Sequence, residues 1–200
     1  KFGGSSLLNA QAFRRVRRII QNEKMPVIVL SAMHGVTDCL YRGIDSYCDS
    51  QASLLHTMMY NKHRDVASAL GIYYPKLKNS LLYTCNTHLH PLNFKCVRYG
   101  SQKEAAHARH QILSTGEQLS SILMSAYLDH GNAPSRVVYG GDVLACTVND
   151  EGLCQIDRAG SRRKIRRNIS ATMQNGYLPV VTGYYGSDAD GNAITIGRDG

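Results

Sequence analysis

Lys1-Phe2-Gly3-Gly4-Ser5-Ser6 opens the chain and decides how the rest is read. A lysine and an aromatic residue run into paired glycines and two hydroxyls, and an amphipathic stretch follows. Paired glycines let backbone N–H groups approach an anion and adopt conformations that a Cβ would forbid. A helix starting just behind them turns unpaired N–H groups and its positive end toward the same point. Lys1 adds a mobile full charge. These are the parts of a phosphate cradle, although the same six residues also fit a plain glycine turn between a strand and a helix.

Outward from that turn, Phe13, Val16, Ile19 and Ile20 recur at helical spacing over residues 10–22. Arg14, Arg15, Arg17 and Arg18 take the other positions, which predicts a half-buried helix with a solvated basic side. Pro26 ends the turn, and Val27-Ile28-Val29-Leu30 reads as a short buried strand. Strand, glycine loop, helix and strand make a βαβ unit, hence a parallel sheet with a right-handed crossover. This strand runs into Ser31-Ala32-Met33-His34-Gly35-Val36-Thr37-Asp38. Open α/β sheets bind ligands at the carboxyl ends of their strands. Thr37 or Asp38 serves equally well as the N-cap of a following helix.

Residues 39–113 carry patchy helical periodicity and predict two or three helices with irregular links. Their methionines read as core gap-fillers, and His107 and His110 as solvent-exposed histidines on one helical face. Cys85, His88, His90 and Cys96 come nearest to a metal cluster, but their spacing fits no standard zinc pattern. Ser114-Thr115-Gly116-Glu117 then satisfies the capping-box pattern and opens a long apolar helix ending near Gly131. Glu117 has a competing role as a fixed negative charge for an ammonium group at the base of a crevice. Residues 136–139 read as a strand and 158–176 as a helix with Ile165, Ile169 and Met173 on its core face. The cations Arg158, Arg162, Arg163, Lys164, Arg166 and Arg167 form a solvated face of that helix. Residues 178–182 are another buried strand. Asp190-Gly191 marks a hairpin between Tyr184-Tyr185-Gly186 and Ala193-Ile194-Thr195-Ile196, which delivers Gly197-Arg198-Asp199-Gly200.

The 200 residues suit one domain or a piece of a larger one. A 43% hydrophobic and 19% charged composition is that of a soluble globular protein. No apolar run reaches the ~18–20 residues of a membrane span, and no secretory signal is visible. Both ends read as cut, so a fragment is expected. The net charge of +8 fits either nucleic acid or an enzyme of anionic substrates. Six cysteines without a CxxC pair predict reduced thiols in a cytosolic-type protein.

Four stretches in order resemble the aspartate kinase family of the amino-acid kinase superfamily. They are Lys1 to Ser6, Leu30 to Asp38, Ser114 to Ser120, and Thr182-Gly183-Tyr184-Tyr185-Gly186 through Gly197-Arg198-Asp199-Gly200. The resemblance implies a three-layer α/β/α sandwich around a mainly parallel sheet, here truncated. It implies transfer of the γ-phosphoryl of ATP, with Mg2+, to the side-chain carboxylate of L-aspartate. That reaction is the first step toward lysine, threonine, methionine and isoleucine, and no protein-bound metal is implied. By position, Lys1 would pair with the transferring phosphate, and Gly3, Gly4, Ser5 and Ser6 would cradle it. Ser31, Ala32 and Thr37 would line the aspartate pocket, Glu117 would hold the substrate ammonium, and Arg198 would clamp a carboxylate. The resemblance further implies a homo-oligomeric parent, in the cytoplasm or, for a plant, the plastid, without nucleic-acid or membrane partners.

The family follows its Gly-Arg loop with a serine and an aspartate, and the chain stops before that pair. Asp199 stands where a small or neutral residue is common. Residues 1–200 are thus expected to be the N-terminal, substrate-binding part of the kinase domain. The nucleotide-binding half and any regulatory ACT or homoserine dehydrogenase domains would lie downstream. Such a fragment is expected to have little activity alone. The alternatives are a glutamate or acetylglutamate kinase-like enzyme, a degenerate kinase acting as a partner subunit, and a basic nucleic-acid-binding module using the arginine-rich helix.

Overall fold

The computed structural model describes residues 1–46, 49–149 and 154–196. Helices α1 (Ala10–Gln21), α2 (Val36–Asp45), α3 (Asp49–Ala69), α4 (Pro75–His88), α5 (Pro91–Tyr99) and α6 (Gln102–His130) come first, with strand β1 (Ile28–Leu30) between α1 and α2. Strands β2 (Ser135–Val138), β3 (Ala145–Val148) and β4 (Cys154–Asp157) follow. Helix α7 (Arg158–Gln174) then leads into β5 (Leu178–Thr182), β6 (Tyr185–Ser187) and β7 (Ala193–Thr195).

Short aliphatic strands form the centre. β1, β5 and β2 pair in that order, all parallel, with Ile28 and Val137 opposite Val180 from either side. Phe2 joins the free side of β1. Its N–H donates to the Val29 carbonyl at 2.8 Å, and its own carbonyl accepts from the Ser31 N–H at 3.0 Å. Strand side chains alternate between faces. Ile28, Leu30 and Val180 therefore enter the large core with Phe13, Leu119 and Leu123, while Val29, Val138 and Val181 meet Ile169 and Met173 of α7. With α6 on one face and α7 on the other, the layers are helix, sheet, helix, as the resemblance implies.

A second sheet runs β4, β3, β6, β7. It consists of two antiparallel hairpins joined where Ala145 lies parallel to Ser187. The sequence reading anticipates the β6–β7 hairpin and misses β3–β4. Gly191 supplies φ 87° at the β6–β7 turn, and Asp188 closes it by accepting from the Asn192 N–H at 2.8 Å.

Local expectations are corrected in five places. α6 begins at Gln102, because Ser101 and Glu104 make the capping box. The Ser101 N–H donates to the Glu104 carboxylate at 2.9 Å, and the Glu104 N–H returns to Ser101 Oγ at 3.4 Å. Ser114 and Glu117 consequently lie inside the helix, where the Ser114 hydroxyl donates to the Gln111 carbonyl at 2.8 Å. The cap of α2 is Gly35, at φ 75°, so Thr37 and Asp38 occupy the first turn. Residues 39–113 hold α3, α4 and α5 together with parts of α2 and α6, more helix than two or three segments. Ile19 and Ile165 are exposed rather than core. Nor is the basic side of α1 wholly solvated: Arg17 stacks over the Tyr127 ring at 4.8 Å and donates to the Gly131 carbonyl at 3.2 Å.

The opening turn is not the start of α1. Gly4–Leu7 form a 3-10 turn, and α1 starts behind Asn9, whose side chain accepts from the Ala12 N–H at 3.0 Å. Asn9→Ala is expected to cost about 1 kcal/mol by urea denaturation, while leaving the opening turn in place.

Cys39, Cys85, Cys96, Cys146 and Cys154 are free thiols; Cys48 lies outside the described residues. Of the residues weighed as a metal cluster, Cys85 is buried, His88 Nδ1 bonds the Gln111 carbonyl at 3.1 Å, and His90 Nδ1 accepts from the Leu92 N–H. No helix among the described residues is long and apolar enough to cross a membrane.

Candidate active site

Residues 31–34, at the carboxyl end of β1, receive contacts from the opening turn, from α6 and from the end of β5. The Ala32 N–H donates to Glu117 Oε1 at 3.1 Å, and the Ser120 hydroxyl donates to the Ser31 carbonyl at 2.7 Å. A Cβ on Gly4 would sit 3.3 Å from the Ala32 carbonyl oxygen and 3.4 Å from His34 Cα. The Gly183 N–H donates to the Leu30 carbonyl at 2.7 Å. From α3, Lys62 Nζ reaches the His34 carbonyl at 2.9 Å. Gly116 is what lets α6 come this close, since a Cβ there would lie 2.6 Å from Ala32 Cβ and 2.8 Å from Val36 Cγ1.

Glu117 is the chemical centre of this meeting point. It is 2% exposed, and its Oε2 has no hydrogen-bond partner among the described residues. Burial pushes its pKa up to about 8, against the lowering pull of the Ala32 N–H. A buried acceptor left without a donor costs about 1–3 kcal/mol. A cation placed beside Oε2 would supply the missing bond and draw the pKa back down. The arrangement can therefore accept an ammonium or guanidinium group.

Two tyrosines stand near this carboxyl. Tyr184, between β5 and β6, bonds its hydroxyl to that of Tyr41 on α2 at 2.7 Å. Burial, above all, raises the Tyr184 and Tyr185 hydroxyls, and the Glu117 charge adds to the effect on both. Behind them, Thr182 Oγ1 accepts from the Gly140 N–H at 2.6 Å and fixes the end of β5.

The sequence-predicted residues fall out as follows. Ala32 meets Glu117 directly, Ser31 is tied to the same helix through Ser120, and Gly4 packs on the same loop. Thr37 is half-buried in the first turn of α2. Lys1 precedes the bridging Phe2 and is exposed. Neither Gly3 nor Gly4 has positive φ, so their value is room, not conformation: a Cβ on Gly3 would meet nothing within 4 Å, leaving that side open to a ligand. In the cradle the Ser6 N–H is spent on the Gly3 carbonyl at 3.0 Å. Ser5 is exposed on the same turn. Because Asn9 caps α1, the helix end does not serve the cradle. Arg198, with residues 197–200, lies outside the described residues. Sequence reasoning missed Gly116, Ser120, Tyr41 and Tyr184. Of these, only Gly116, a glycine inside an apolar helical pattern, carried a local signal.

A separate cavity of about 1100 Å³ opens between α4, α6, α7 and the β6–β7 hairpin. Tyr139, Lys164 and Asp188 border it, and among the described residues no sequence-predicted site residue does. Lys164 is tied to the Gly141 carbonyl at 2.8 Å and to Ser187 Oγ at 2.7 Å. The arginines of α7 remain exposed.

A parallel sheet with an open glycine turn and a buried acid at its strand ends matches the amino acid kinase family over residues 1–199, and the chain belongs to that family. Within it, the chain is similar to aspartokinases. It is 27% identical over 205 residues to the aspartokinase of Chlamydia trachomatis, and 27% identical over 209 residues to the chloroplastic aspartokinase 3 of Arabidopsis thaliana. All of the chain aligns in both, covering 42% and 36% of those proteins. Its fold is that of E. coli aspartokinase III, solved in complex with aspartate and ADP, with a TM-score of 0.84 at 19% identity over all of this chain and 43% of that one.

Proposed function

We propose that this chain is the N-terminal, substrate-binding part of an aspartate kinase. The complete protein would transfer the γ-phosphoryl of ATP to the side-chain carboxylate of L-aspartate. The observation that carries this reading is the buried Oε2 of Glu117, without a partner among the described residues, beside the loop that follows β1. A carboxylate in that position favours a substrate bearing a free ammonium. N-acetylglutamate has none, and its amide offers a far weaker partner, which argues against an acetylglutamate kinase.

In this reading Glu117 holds the substrate ammonium, Ser31, Ala32 and Thr37 line its pocket, and Arg198 clamps a carboxylate. The side-chain oxygen attacks the γ-phosphorus as the bond to the β–γ bridging oxygen breaks and ADP leaves. Lys1 and the amides of Gly3 and Gly4, with Ser5 and Ser6, neutralise the phosphoryl charge. Positioning and charge neutralisation dominate such transfers. Mg2+ arrives with ATP and adds further neutralisation at its phosphates. The chain aligns with 42% of the chlamydial relative's length; in this reading the nucleotide-binding half belongs to the rest of the complete protein, and the chain alone is expected to have little activity.

Kinetics of the complete protein with aspartate, glutamate and N-acetylglutamate test the substrate. Efficient phosphorylation of N-acetylglutamate in preference to aspartate overturns the reading. Arg198→Ala is expected to raise the aspartate KM at least about tenfold, the worth of one charge-assisted fork, with a smaller effect on the ATP KM. An unchanged aspartate response removes Arg198 from the pocket.

A further inference from the structure

Tyr184 is a bulky residue held at φ 70°. Such a conformation persists only where the surroundings over-determine it, and here they do. Its carbonyl accepts from the Ile196 N–H at 2.8 Å, and its hydroxyl bonds that of Tyr41 at 2.7 Å. Thr195 Oγ1 lies 2.9 Å from His110 Nδ1, and the Thr195 N–H donates to the same nitrogen at 3.3 Å. His110 sits on α6 about two turns before Glu117, on the same side of the helix. One helix thus carries the buried acid and grips β7, while β7 fixes the tyrosine beside that acid.

We propose that His110, the Thr195–Ile196 segment, Tyr184 and Tyr41 form one strut, bonded from His110 to Thr195, from the Ile196 N–H to the Tyr184 carbonyl and from the Tyr184 hydroxyl to Tyr41, that positions the tyrosine wall of the Glu117 pocket, with His110 as its anchor on α6. Calling that pocket the substrate's rests on the function proposed above. His110 is then a positioning residue, acting through Thr195 and Tyr184 rather than on the substrate.

The anchor requires an unprotonated Nδ1, because the Thr195 N–H can only donate. Burial first, then the charges of His107 and Arg109, holds His110 below the ordinary histidine range. From the elements packed around it, Asp188 of the hairpin faces His107 at 3.8 Å. Asp45 of α2 faces Arg109 at 3.8 Å, Arg109 lies 5.5 Å over the Tyr41 ring, and His88 of α4 bonds Gln111. At neutral pH the strut is intact. Acid puts a proton on Nδ1 and sets it against the Thr195 N–H; the Thr195 hydroxyl can turn to accept, so the backbone tie to β7 is lost while the side-chain contact survives.

The test uses the complete protein and two substitutions. In His110→Asn, Oδ1 stands close to where Nδ1 stood and accepts the Thr195 N–H without titrating. His110→Phe keeps the bulk and removes the acceptor. Amide hydrogen exchange over residues 185–196, from about pH 5 to about pH 8, reads the strut directly. Kinetics read its consequence. His110→Phe is expected to speed exchange there about tenfold and to raise the aspartate KM about five- to tenfold, with kcat and the ATP KM within about twofold. His110→Asn is expected to restore both at pH 8 and to abolish the acid-side loss of protection that the parent shows. Tyr184→Phe, which cuts only the link to Tyr41, is expected to raise the aspartate KM as His110→Phe does, to add little to it, and to leave exchange over residues 185–196 near the parent's. Unchanged exchange in His110→Phe, or an acid-side loss persisting in His110→Asn, overturns the strut. Faster exchange with an unchanged aspartate KM overturns its positioning role. A parent that does not phosphorylate aspartate sinks the functional reading instead, and the exchange data still decide the strut.

Discussion

Glu117→Gln in the complete protein is expected to lower kcat/KM for aspartate by about 10²–10³-fold, while the ATP KM moves less than about threefold. Breaking one partner of a buried ion pair costs about 3–5 kcal/mol, and about 1.4 kcal/mol is tenfold. Glutamine has the same shape, and its carbonyl can still accept the Ala32 N–H that Glu117 Oε1 takes at 3.1 Å, so the fold stays while the charge goes. The pH dependence separates charge from shape. In the empty pocket Glu117 titrates near 8. Aspartate binding to the parent therefore strengthens as pH rises toward that value, and the glutamine variant is flat over the same range. Stability moves oppositely. The folded state holds a proton that the unfolded chain releases in the ordinary carboxylate range, so burial of Glu117 destabilises the fold progressively from that range up to about pH 8 and fully above it. Without ligand, the glutamine variant is expected to melt several degrees higher than the parent at alkaline pH and to match it in acid. Calorimetry across pH checks this. Unaltered aspartate kinetics in the variant would place the ammonium elsewhere.

The parallel sheet was legible because runs such as residues 27–30 and 178–181 are apolar without a break, as strands buried on both faces tend to be. The β6–β7 hairpin was legible from Asp190-Gly191. The β3–β4 hairpin was not, since Val148 and Ile156 point to solvent and leave no clean alternation. A Ser-x-x-Glu pattern occurs at Ser101–Glu104 and again at Ser114–Glu117, and local reasoning attached the cap to the wrong copy. What distinguishes them is tertiary: Glu104 is exposed and turns back on Ser101, whereas Glu117 is buried against a loop 85 residues away in sequence. The histidines expected to be exposed, His107 and His110, instead grip the hairpin. The Tyr41–Tyr184 bond spans 143 residues and has no local trace. At the opening turn only the conformational half of the reason for the glycines fails: their backbone is ordinary, and what they offer is the space a missing Cβ leaves.

That same logic makes Gly116→Ala the most informative change in the scaffold. Alanine is the better helix former by about 1 kcal/mol, so on propensity alone the substitution should stabilise α6. Packing opposes it. The new Cβ would lie 2.6 Å from Ala32 Cβ and 2.8 Å from Val36 Cγ1. A Cβ cannot rotate away, so helix and loop must separate, and overpacking of this kind costs about 1–3 kcal/mol. With contacts this short the packing loss is expected to win, by up to about 2 kcal/mol, lowering Tm by up to roughly 8 °C for a domain of this size. Separation also stretches the Ala32–Glu117 bond and the Ser120–Ser31 bond, so the aspartate KM should rise more than the ATP KM. Ala32→Gly in the same chain removes one collision and leaves the contact with Val36. The pair is therefore expected to be more stable than Gly116→Ala alone, though short of the parent, a coupling that independent sites would not show. A Gly116→Ala variant at least as stable as the parent, with unchanged aspartate kinetics, would mean that α6 and the β1 loop are not in contact as described, and the pocket built on Glu117 would lose its floor.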